Sequence, residues 1–152
     1  MLVLRTSIFF RKFSDENWNG DCAVYAFHTG SLSRLSKEAC VEVSLRTLKC
    51  EILTISPIRV VNETLEFAPI GLIDMFNSGG ATEGLSFIND PSGCTVRIEA
   101  RGCGRFGAYS SKKPTYCTVD SKKENFEYNS DKGLLVVKLE GECNSRDIIV
   151  IY

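Results

Sequence analysis

Carboxylates and a single imidazole are the side chains of this sequence that could do acid–base chemistry. Glycosidases place two carboxyl groups about 5–9.5 Å apart, on either side of the bond that they cleave. The pairs that stand out are Asp74 with Glu83, Asp15 with Glu16, and Asp120 with Glu124. Spacing favours none of them among the 19 acidic residues, and His28, the only histidine, has no nucleophile elbow or ordered triad beside it. We therefore predict no catalytic residue.

Seven cysteines could pair as disulfides or bind zinc. They stand at positions 22, 40, 50, 94, 103, 117 and 143. The number is odd, no secretory signal precedes them, and most lie in apolar, strand-like runs. This pattern is typical of reduced thiols that pack as small hydrophobic residues. No C-x-x-C pair occurs, so we expect neither disulfides nor a metal site, and no other cofactor.

Three glycines match G-x-G-x-x-G, the fingerprint of dinucleotide-binding sites: Gly102, Gly104 and Gly107. The motif works only where a strand ends and a helix begins, so that the helix N-terminus meets the pyrophosphate. Residues 108–114 have no helical apolar face, and Pro114 ends them. The segment therefore predicts a glycine-bearing strand that permits close backbone approach, rather than a nucleotide site.

The elements that must carry these residues are short strands. Apolar and polar residues alternate over residues 41–46, 96–101 and 126–128, which is the period of a strand with one buried and one wet face. Turn residues separate such runs, and no apolar pattern keeps a helical period over three turns. We predict an all-β fold, an antiparallel β-sandwich of roughly ten short strands with little helix, in one domain. A (β/α)₈ barrel takes about 250 residues, too many for this chain of 152.

The charge balance argues against nucleic acid as a partner. Lys and Arg number 18 and Asp and Glu 19, for a net charge of -1, whereas faces that bind nucleic acid are strongly basic. A local basic excess between Arg97 and Lys123 predicts solvent-facing charge on alternating strands. The alternative for that excess is an anion-binding patch.

The first residues, MLVLRTSIFFRKF, predict neither a secretory signal nor a membrane span. Arg5 interrupts the apolar run, no small-residue cleavage site follows, and no apolar run in the chain approaches about 18 residues. Acidic residues are absent before Asp15, so an organelle transit peptide is an alternative to a disordered start. We expect a cytoplasmic protein, with a plastid location as the alternative, and no membrane partner.

Four aromatic residues could stack on sugar rings. They are Trp18, Tyr25, Phe106 and Tyr109. Carbohydrate-binding modules use such platforms, but large aromatic residues of a sandwich also form its core, and we favour the core. The glycosylation sequon Asn62-Glu63-Thr64 is interpreted as chance, because no secretory signal accompanies it.

Three segments together resemble a known family. They are WNGDCAVYAF (Trp18–Phe27), FAPIGLIDMFNSGGATE (Phe67–Glu83) and RGCGRFGAYSS (Arg101–Ser111). They are similar to the C-terminal region of the plant raffinose synthase family, which includes seed-imbibition proteins and alkaline α-galactosidases of glycoside hydrolase family 36. We therefore expect residues 18–152 to form the family's C-terminal β-sandwich domain. Residues 1–17 do not match, and we expect a disordered segment outside the family.

The resemblance implies galactose chemistry that this chain lacks the residues to perform. Members carry an N-terminal β-domain, a central catalytic (β/α)₈ barrel and a C-terminal antiparallel β-sandwich, and they transfer galactose from galactinol to sucrose or hydrolyse α-galactosides. Two barrel aspartates act, one in a Lys-Val-Asp strand end and one in a Ser-Asp-Asp loop. Neither motif occurs here, because lysine does not precede Val119-Asp120 and the second aspartate is missing after Ser14-Asp15 and Ser130-Asp131. We expect a truncated accessory domain that is not an enzyme on its own.

The resemblance also implies a partner, the catalytic barrel of the family's full-length enzymes. Glycines permit close approach and aromatic residues anchor interfaces, so we expect Arg105, Phe106 and Tyr109, in and beside Gly102–Gly107, to contact it. An uncovered interface would also favour self-association. The alternative, from a different class, is a free-standing carbohydrate-binding module that binds galactosides.

Overall fold

The computed structural model describes residues 2–7, 18–36, 38–91, 93–141 and 145–152, which form antiparallel strands and one short 3₁₀ helix, Ser78–Ala81. The strands are β1 Leu2–Ser7, β2 Trp18–Ala26, β3 Ser31–Leu35, β4 Cys40–Leu45, β5 Leu53–Val60, β6 Glu66–Leu72, β7 Thr82–Asp90, β8 Gly93–Arg101, β9 Gly104–Ser110, β10 Tyr116–Val119, β11 Lys122–Glu124, β12 Phe126–Asn129, β13 Leu134–Leu139 and β14 Ser145–Ile151. The prediction of an all-β fold with little helix is confirmed. The described strands number fourteen rather than ten, because short strands such as β11 show no apolar alternation.

Two large sheets face each other across the main core. One has the strand order β11-β10-β14-β8-β7 and the other β12-β13-β9-β6-β5-β2-β3. The core between them takes Val96 and Ile98 from β8, Ile148 from β14, and Phe67 and Phe106 from the seven-stranded sheet. Burying such aliphatic and aromatic side chains is the dominant favourable term in folding, at roughly 1.5–3 kcal/mol for each large side chain.

Strand β8 shows the predicted period of two. Its apolar residues point into the sandwich, whereas Arg97, Glu99 and Arg101 face solvent. The exposed arginines are paired with acidic neighbours: Arg97 Nε donates to Asp147 Oδ1 over 2.7 Å, and Arg101 Nε lies 3.6 Å from Glu83 Oε1. The basic excess in this strand is therefore solvent-facing charge, as predicted.

The seven-stranded sheet is rolled, and its second face holds a second core. This core includes Ile58, Ala68, Ile70, Leu32 and Val136, all buried on the face away from the five-stranded sheet. Strand β3 lies at one edge of the sheet, and the turn between β12 and β13 lies at the other. Both line one groove, so the two edges approach each other and enclose the second core.

A two-stranded ribbon of β1 and β4 completes the described fold. Val43 and Leu45 of β4 line a crevice of about 320 Å³ together with Val24, Leu35 and Leu53 of the rolled sheet. Strand β1 belongs to the segment that the sequence predicts to be disordered. The rest of that segment, residue 1 and residues 8–17, lies outside the described residues.

Three of the cysteines are buried thiols, as predicted. Burial raises the pKa of the Cys117 thiol to about 12 and that of Cys22 to about 11, and it also raises the pKa of Cys94. These thiols are therefore protonated at neutral pH and unreactive. Cys40 and Cys50 are exposed instead, and Cys143 lies outside the described residues. Within the described ranges, no helix has the length and apolar character needed to cross a membrane.

Candidate functional site

An exposed apolar surface lies on the loop that follows β6. Met75 is 52% exposed and Phe76 is 67% exposed, although both side chains are large and hydrophobic. The ring of Phe27, at the end of β2, packs edge-on against Phe76 with ring centroids 4.9 Å apart. Asp74 and Arg105 lie beside them. We call this surface, formed by Phe27, Asp74, Met75, Phe76 and Arg105, the tip.

Hydrogen bonds to the backbone and one glycine stabilise the conformation of the tip loop. The amide of Met75 donates to the carbonyl of Leu72 over 3.1 Å, and Ser78 Oγ donates to the carbonyl of Met75 over 2.8 Å. Gly71 has φ of 99°, and a Cβ placed there would lie only 1.8 Å from the carbonyl oxygen of Ser78. Only glycine fits this position, because the left-handed conformation and the close backbone approach both exclude a side chain.

The glycine-rich segment packs against Leu72 and Ile73, the residues that lead into the tip loop. A Cβ at Gly102 would lie 2.8 Å from Cδ1 of Leu72, and a Cβ at Gly107 would lie 2.4 Å from Cγ2 of Ile73. The prediction of close approach to these glycines is confirmed, but the approaching side chains come from the end of β6 in the same chain. Gly104 and Gly107 lie in β9, which continues to Ser110, and Gly102 lies in the turn before it. The predicted glycine-bearing strand is therefore confirmed for two of the three glycines.

An ion pair forms the polar side of the tip. Arg105 Nε donates to Asp74 Oδ2 over 3.0 Å, and the carbonyl of Arg105 accepts the amide of Ile73 over 2.9 Å. The hydrogen bonds from Arg105 lower the pKa of the Asp74 carboxyl. Beside Met75 lies a recess of about 390 Å³, lined also by Leu72, Ala81 and Gly102. The tip therefore presents two apolar projections, a recess and a charged pair.

The predicted contact residues do not lie together. Arg105 is at the tip, but Phe106 is 1% exposed and points into the main core. Tyr109 is 8% exposed and lies inside the roll, where its Oη accepts a hydrogen bond from Arg34 Nη1 over 3.3 Å. Successive side chains of a strand point to opposite faces, so Arg105 and Tyr109 cannot share a face with Phe106. Phe106 therefore belongs to the core of this chain, and the contact of Arg105, Phe106 and Tyr109 with a barrel stays a prediction.

Met75 and Phe76 were not predicted as site residues from the sequence. The signal was present: two large apolar residues stand in a turn-rich segment, between Asp74 and Asn77. Of the aromatic residues considered as sugar platforms, Tyr25 is buried like Phe106 and Tyr109. The favoured interpretation of these aromatic residues as core is confirmed for those three.

Three of the described carboxylates considered for catalysis, Asp74, Glu83 and Asp120, take part in structural contacts. Glu83 and Asp74 face arginines of the chain, as described above. Asp120 accepts hydrogen bonds from Arg146 Nη1 over 2.6 Å and from the amide of Asp147 over 3.0 Å. These contacts lower the pKa of Asp120, with the hydrogen bond from the Asp147 amide as the largest cause. The pair of Asp15 and Glu16 lies outside the described residues.

The sequon also has a structural role. Asn62 Oδ1 accepts hydrogen bonds from the amides of Thr64 and Leu65, both over 2.9 Å, and Asn62 Nδ2 donates to Asn89 Oδ1 over 3.3 Å. An asparagine side chain that bonds the backbone two residues ahead stabilises a turn. The side-chain amide of Asn62 therefore stabilises this turn and its contact with Asn89.

The chain matches known proteins over most of its length. The family model described as "Raffinose synthase or seed imbibition protein Sip1" matches residues 10–139, so the match begins before Trp18. The chain is 46% identical over 123 residues to the probable galactinol–sucrose galactosyltransferase 6 of Arabidopsis thaliana, covering 81% of this chain and 16% of that protein. It is 42% identical over 107 residues to the galactinol–sucrose galactosyltransferase of Pisum sativum, covering 70% of this chain and 13% of that protein. It is 29% identical over 132 residues to the stachyose synthase of Pisum sativum, covering 85% of this chain and 15% of that protein. The chain thus spans between about an eighth and a sixth of the length of these relatives.

Proposed function

This chain belongs to the family of raffinose synthases and seed imbibition proteins, and we propose that it forms an accessory β-sandwich that packs against the catalytic barrel of a raffinose-family galactosyltransferase. Relatives that match it are galactinol–sucrose galactosyltransferases of much greater length. The observation that carries the proposal is the tip, where Met75 and Phe76 are exposed on a loop with a fixed conformation.

The tip has the composition of a protein interface. Aromatic residues and methionine are enriched at interface cores, and a few such anchors contribute most of the binding energy, about 2 kcal/mol or more each. The loop is already ordered by Gly71 and Ser78, so little conformational entropy is lost when a partner covers it. The pair of Arg105 and Asp74 would lie at the rim, where charges set orientation rather than affinity.

The proposal assigns no galactosyl transfer to the sandwich itself. The sequence motifs of the family's two catalytic aspartates are absent from this chain, and the described aspartates Asp74 and Asp120 are bound to arginines. The role of the sandwich is to stabilise the barrel. On its own the chain would leave the tip uncovered, and we expect it to bind a hydrophobic dye or to self-associate.

The test uses the pea galactinol–sucrose galactosyltransferase with this chain in place of its matching stretch. We expect Phe76→Ser to lower the melting temperature of this chimera by several degrees and to lower its yield of raffinose. The same substitution should leave the melting temperature of the isolated chain nearly unchanged, because Phe76 is 67% exposed there. Differential scanning calorimetry of both proteins measures the contrast.

Ile88→Ser is the matched control. Ile88 is 55% exposed, but it lies on the edge strand β7 rather than at the tip. We expect it to change neither protein. Equal melting temperatures for the Phe76→Ser chimera and the unsubstituted chimera would refute the role of the tip. Raffinose formed from galactinol and sucrose by the purified chain, and abolished by a substitution in it, would refute the accessory role.

A further inference from the structure

The groove at the seam of the rolled sheet is a second surface with a different chemistry, and we propose that it binds a neutral saccharide. It has a volume of about 440 Å³, in the range of small-molecule sites. We call it the seam groove. Its lining residues are Leu32, Ser33, Arg34, Glu66, Tyr109, Ser110, Ser111, Tyr128, Ser130, Asp131, Lys132 and Gly133. This site is separate from the tip, and the proposal does not depend on the accessory role.

The charges of the seam groove favour an uncharged ligand. Arg34 Nη2 lies 2.6 Å from Asp21 Oδ2 and donates to Glu66 Oε1 over 3.1 Å, while Arg34 Nη1 donates to Glu66 Oε2. One guanidinium is thus shared by two carboxylates. Asp131 and Lys132 add one charge of each sign to the lining. An anion would find no net positive charge here to attract it.

The remaining polar groups suit a ligand rich in hydroxyl groups. The hydroxyls of Ser33 and Ser130 both donate and accept, the carboxylate of Asp131 accepts, and the ammonium of Lys132 donates. Sugar hydroxyls also donate and accept, so such a mixture can bind several of them around one ring. Hydrogen bonds to the charged groups are the strongest of these.

The lining is ordered before any ligand arrives. Asn129 Oδ1 accepts the amides of Asp131 and Lys132 over 3.0 and 3.2 Å, which fixes the turn that carries them. The amide of Ser110 donates to the carbonyl of Gly133 over 2.8 Å, and a Cβ at Gly133 would lie 2.8 Å from the carbonyl oxygen of Ser110. Preorganisation of this kind reduces the entropic cost of binding.

A natural probe lies next to the seam groove. Trp18 is the only tryptophan of the chain, and its Nε1 donates to the carbonyl of Asp21 over 2.8 Å. The side chain of Asp21 accepts in turn from Arg34 Nε over 2.7 Å. The five N–H groups of Arg34 are already bonded to Asp21, Glu66 and Tyr109. A ligand that packs against Arg34 in the groove should shift its contact with Asp21 and so change the fluorescence of Trp18.

The experiment titrates the purified chain with raffinose, maltose and sodium sulfate in separate arms. Trp18 fluorescence and amide chemical shifts report binding. We expect raffinose to give a saturable change with shifts concentrated at Arg34, Ser130 and Asp131. Binding of raffinose alone would support a galactoside site, and binding of maltose as well would support a less selective saccharide site. No saturable change with either sugar, or tighter binding of sulfate, would overturn the proposal.

Asp131→Asn is the variant that tests the location. It removes one charged acceptor from an exposed turn, so we expect affinity for raffinose to fall about tenfold while the fold is retained. Glu63→Gln neutralises an exposed carboxylate outside the groove lining and should leave affinity unchanged. Equal affinities for the two variants would overturn the location. Failure here is distinguishable from failure of the accessory role, because Phe76→Ser should leave raffinose binding intact.

Discussion

The tip and the seam groove lie at opposite ends of the same two strands, yet they are built by different forces. Strand β6 runs from Glu66 at the groove to Leu72 at the tip, and β9 runs from Arg105 at the tip to Ser110 at the groove. At the tip, aliphatic side chains lie against glycines. At the groove, a guanidinium joins strands that are far apart in the sheet. One pair of strands can therefore present an apolar surface for a protein and a polar groove for a small molecule.

The difference has a physical origin in what each end must hold. At the tip, close packing of Leu72 and Ile73 on Gly102 and Gly107 positions the loop, and the exposed ion pair of Asp74 and Arg105 adds little to its stability. The seam must join β3 to β6, which are three places apart in the strand order, and only a long, multidentate side chain such as Arg34 spans that gap. We expect the tip to be insensitive to salt and the seam to be sensitive to it.

Of the substitutions that test this contrast, Gly71→Ala should lower the free energy of unfolding most. The new Cβ would meet the carbonyl of Ser78 in a left-handed backbone conformation. We expect the free energy of unfolding to fall by about 3 kcal/mol or more, measured by urea denaturation. Gly79→Ala is the control, since the nearest atom to its Cβ would be Thr54 Cγ2 at 4.0 Å. Equal losses for the two variants would show that close packing does not hold the tip.

Arg34→Met should have an intermediate effect, because it removes the guanidinium that links Asp21, Glu66 and Tyr109. We expect a loss of about 1–3 kcal/mol in the free energy of unfolding, which shrinks as salt is added because screening weakens the ion pairs of the original chain. Arg97→Met, which removes a single exposed pair with Asp147, should cost at most about 1 kcal/mol. A loss for Arg34→Met that does not change with salt would contradict the electrostatic account of the seam.

Asp74→Asn should have the smallest effect. The pKa of Asp74 is lowered in the folded state, so its ion pair stabilises the fold above the unfolded pKa of about 3.9 and loses that effect as pH falls through the folded pKa. Asp74 is 47% exposed, so we expect a cost below about 1 kcal/mol at neutral pH and none under strongly acidic conditions.

Denaturation of Asp74→Asn, Arg105→Met and the double variant at both pH values measures this effect. The double variant should lose little more free energy of unfolding than either single variant, because all three lack the same ion pair. A cost for Asp74→Asn that persists in acid would show that the carboxylate does not act through its charge.

Part of this arrangement is predictable from local sequence. The alternation in residues 96–101 predicted the two faces of β8, because side-chain direction has a period of two in any strand. The glycines at 102, 104 and 107 predicted close backbone approach, because each lacks a Cβ. Residue type alone did not predict which face a side chain occupies: Phe106 was chosen for its aromatic ring, and its position in β9 places that ring in the core.

The sequence by itself determined the class of fold and the positions where a side chain must be absent, since periodicity and glycine geometry act over a few residues. Tertiary structure alone decided which surfaces result. Arg34 meets Glu66 and Tyr109 because the sheet rolls, and Met75 and Phe76 project because Leu72 and Ile73 are seated on a strand some thirty residues further along the chain. Such contacts join residues distant in sequence, and local patterns carry no information about which distant residues will meet.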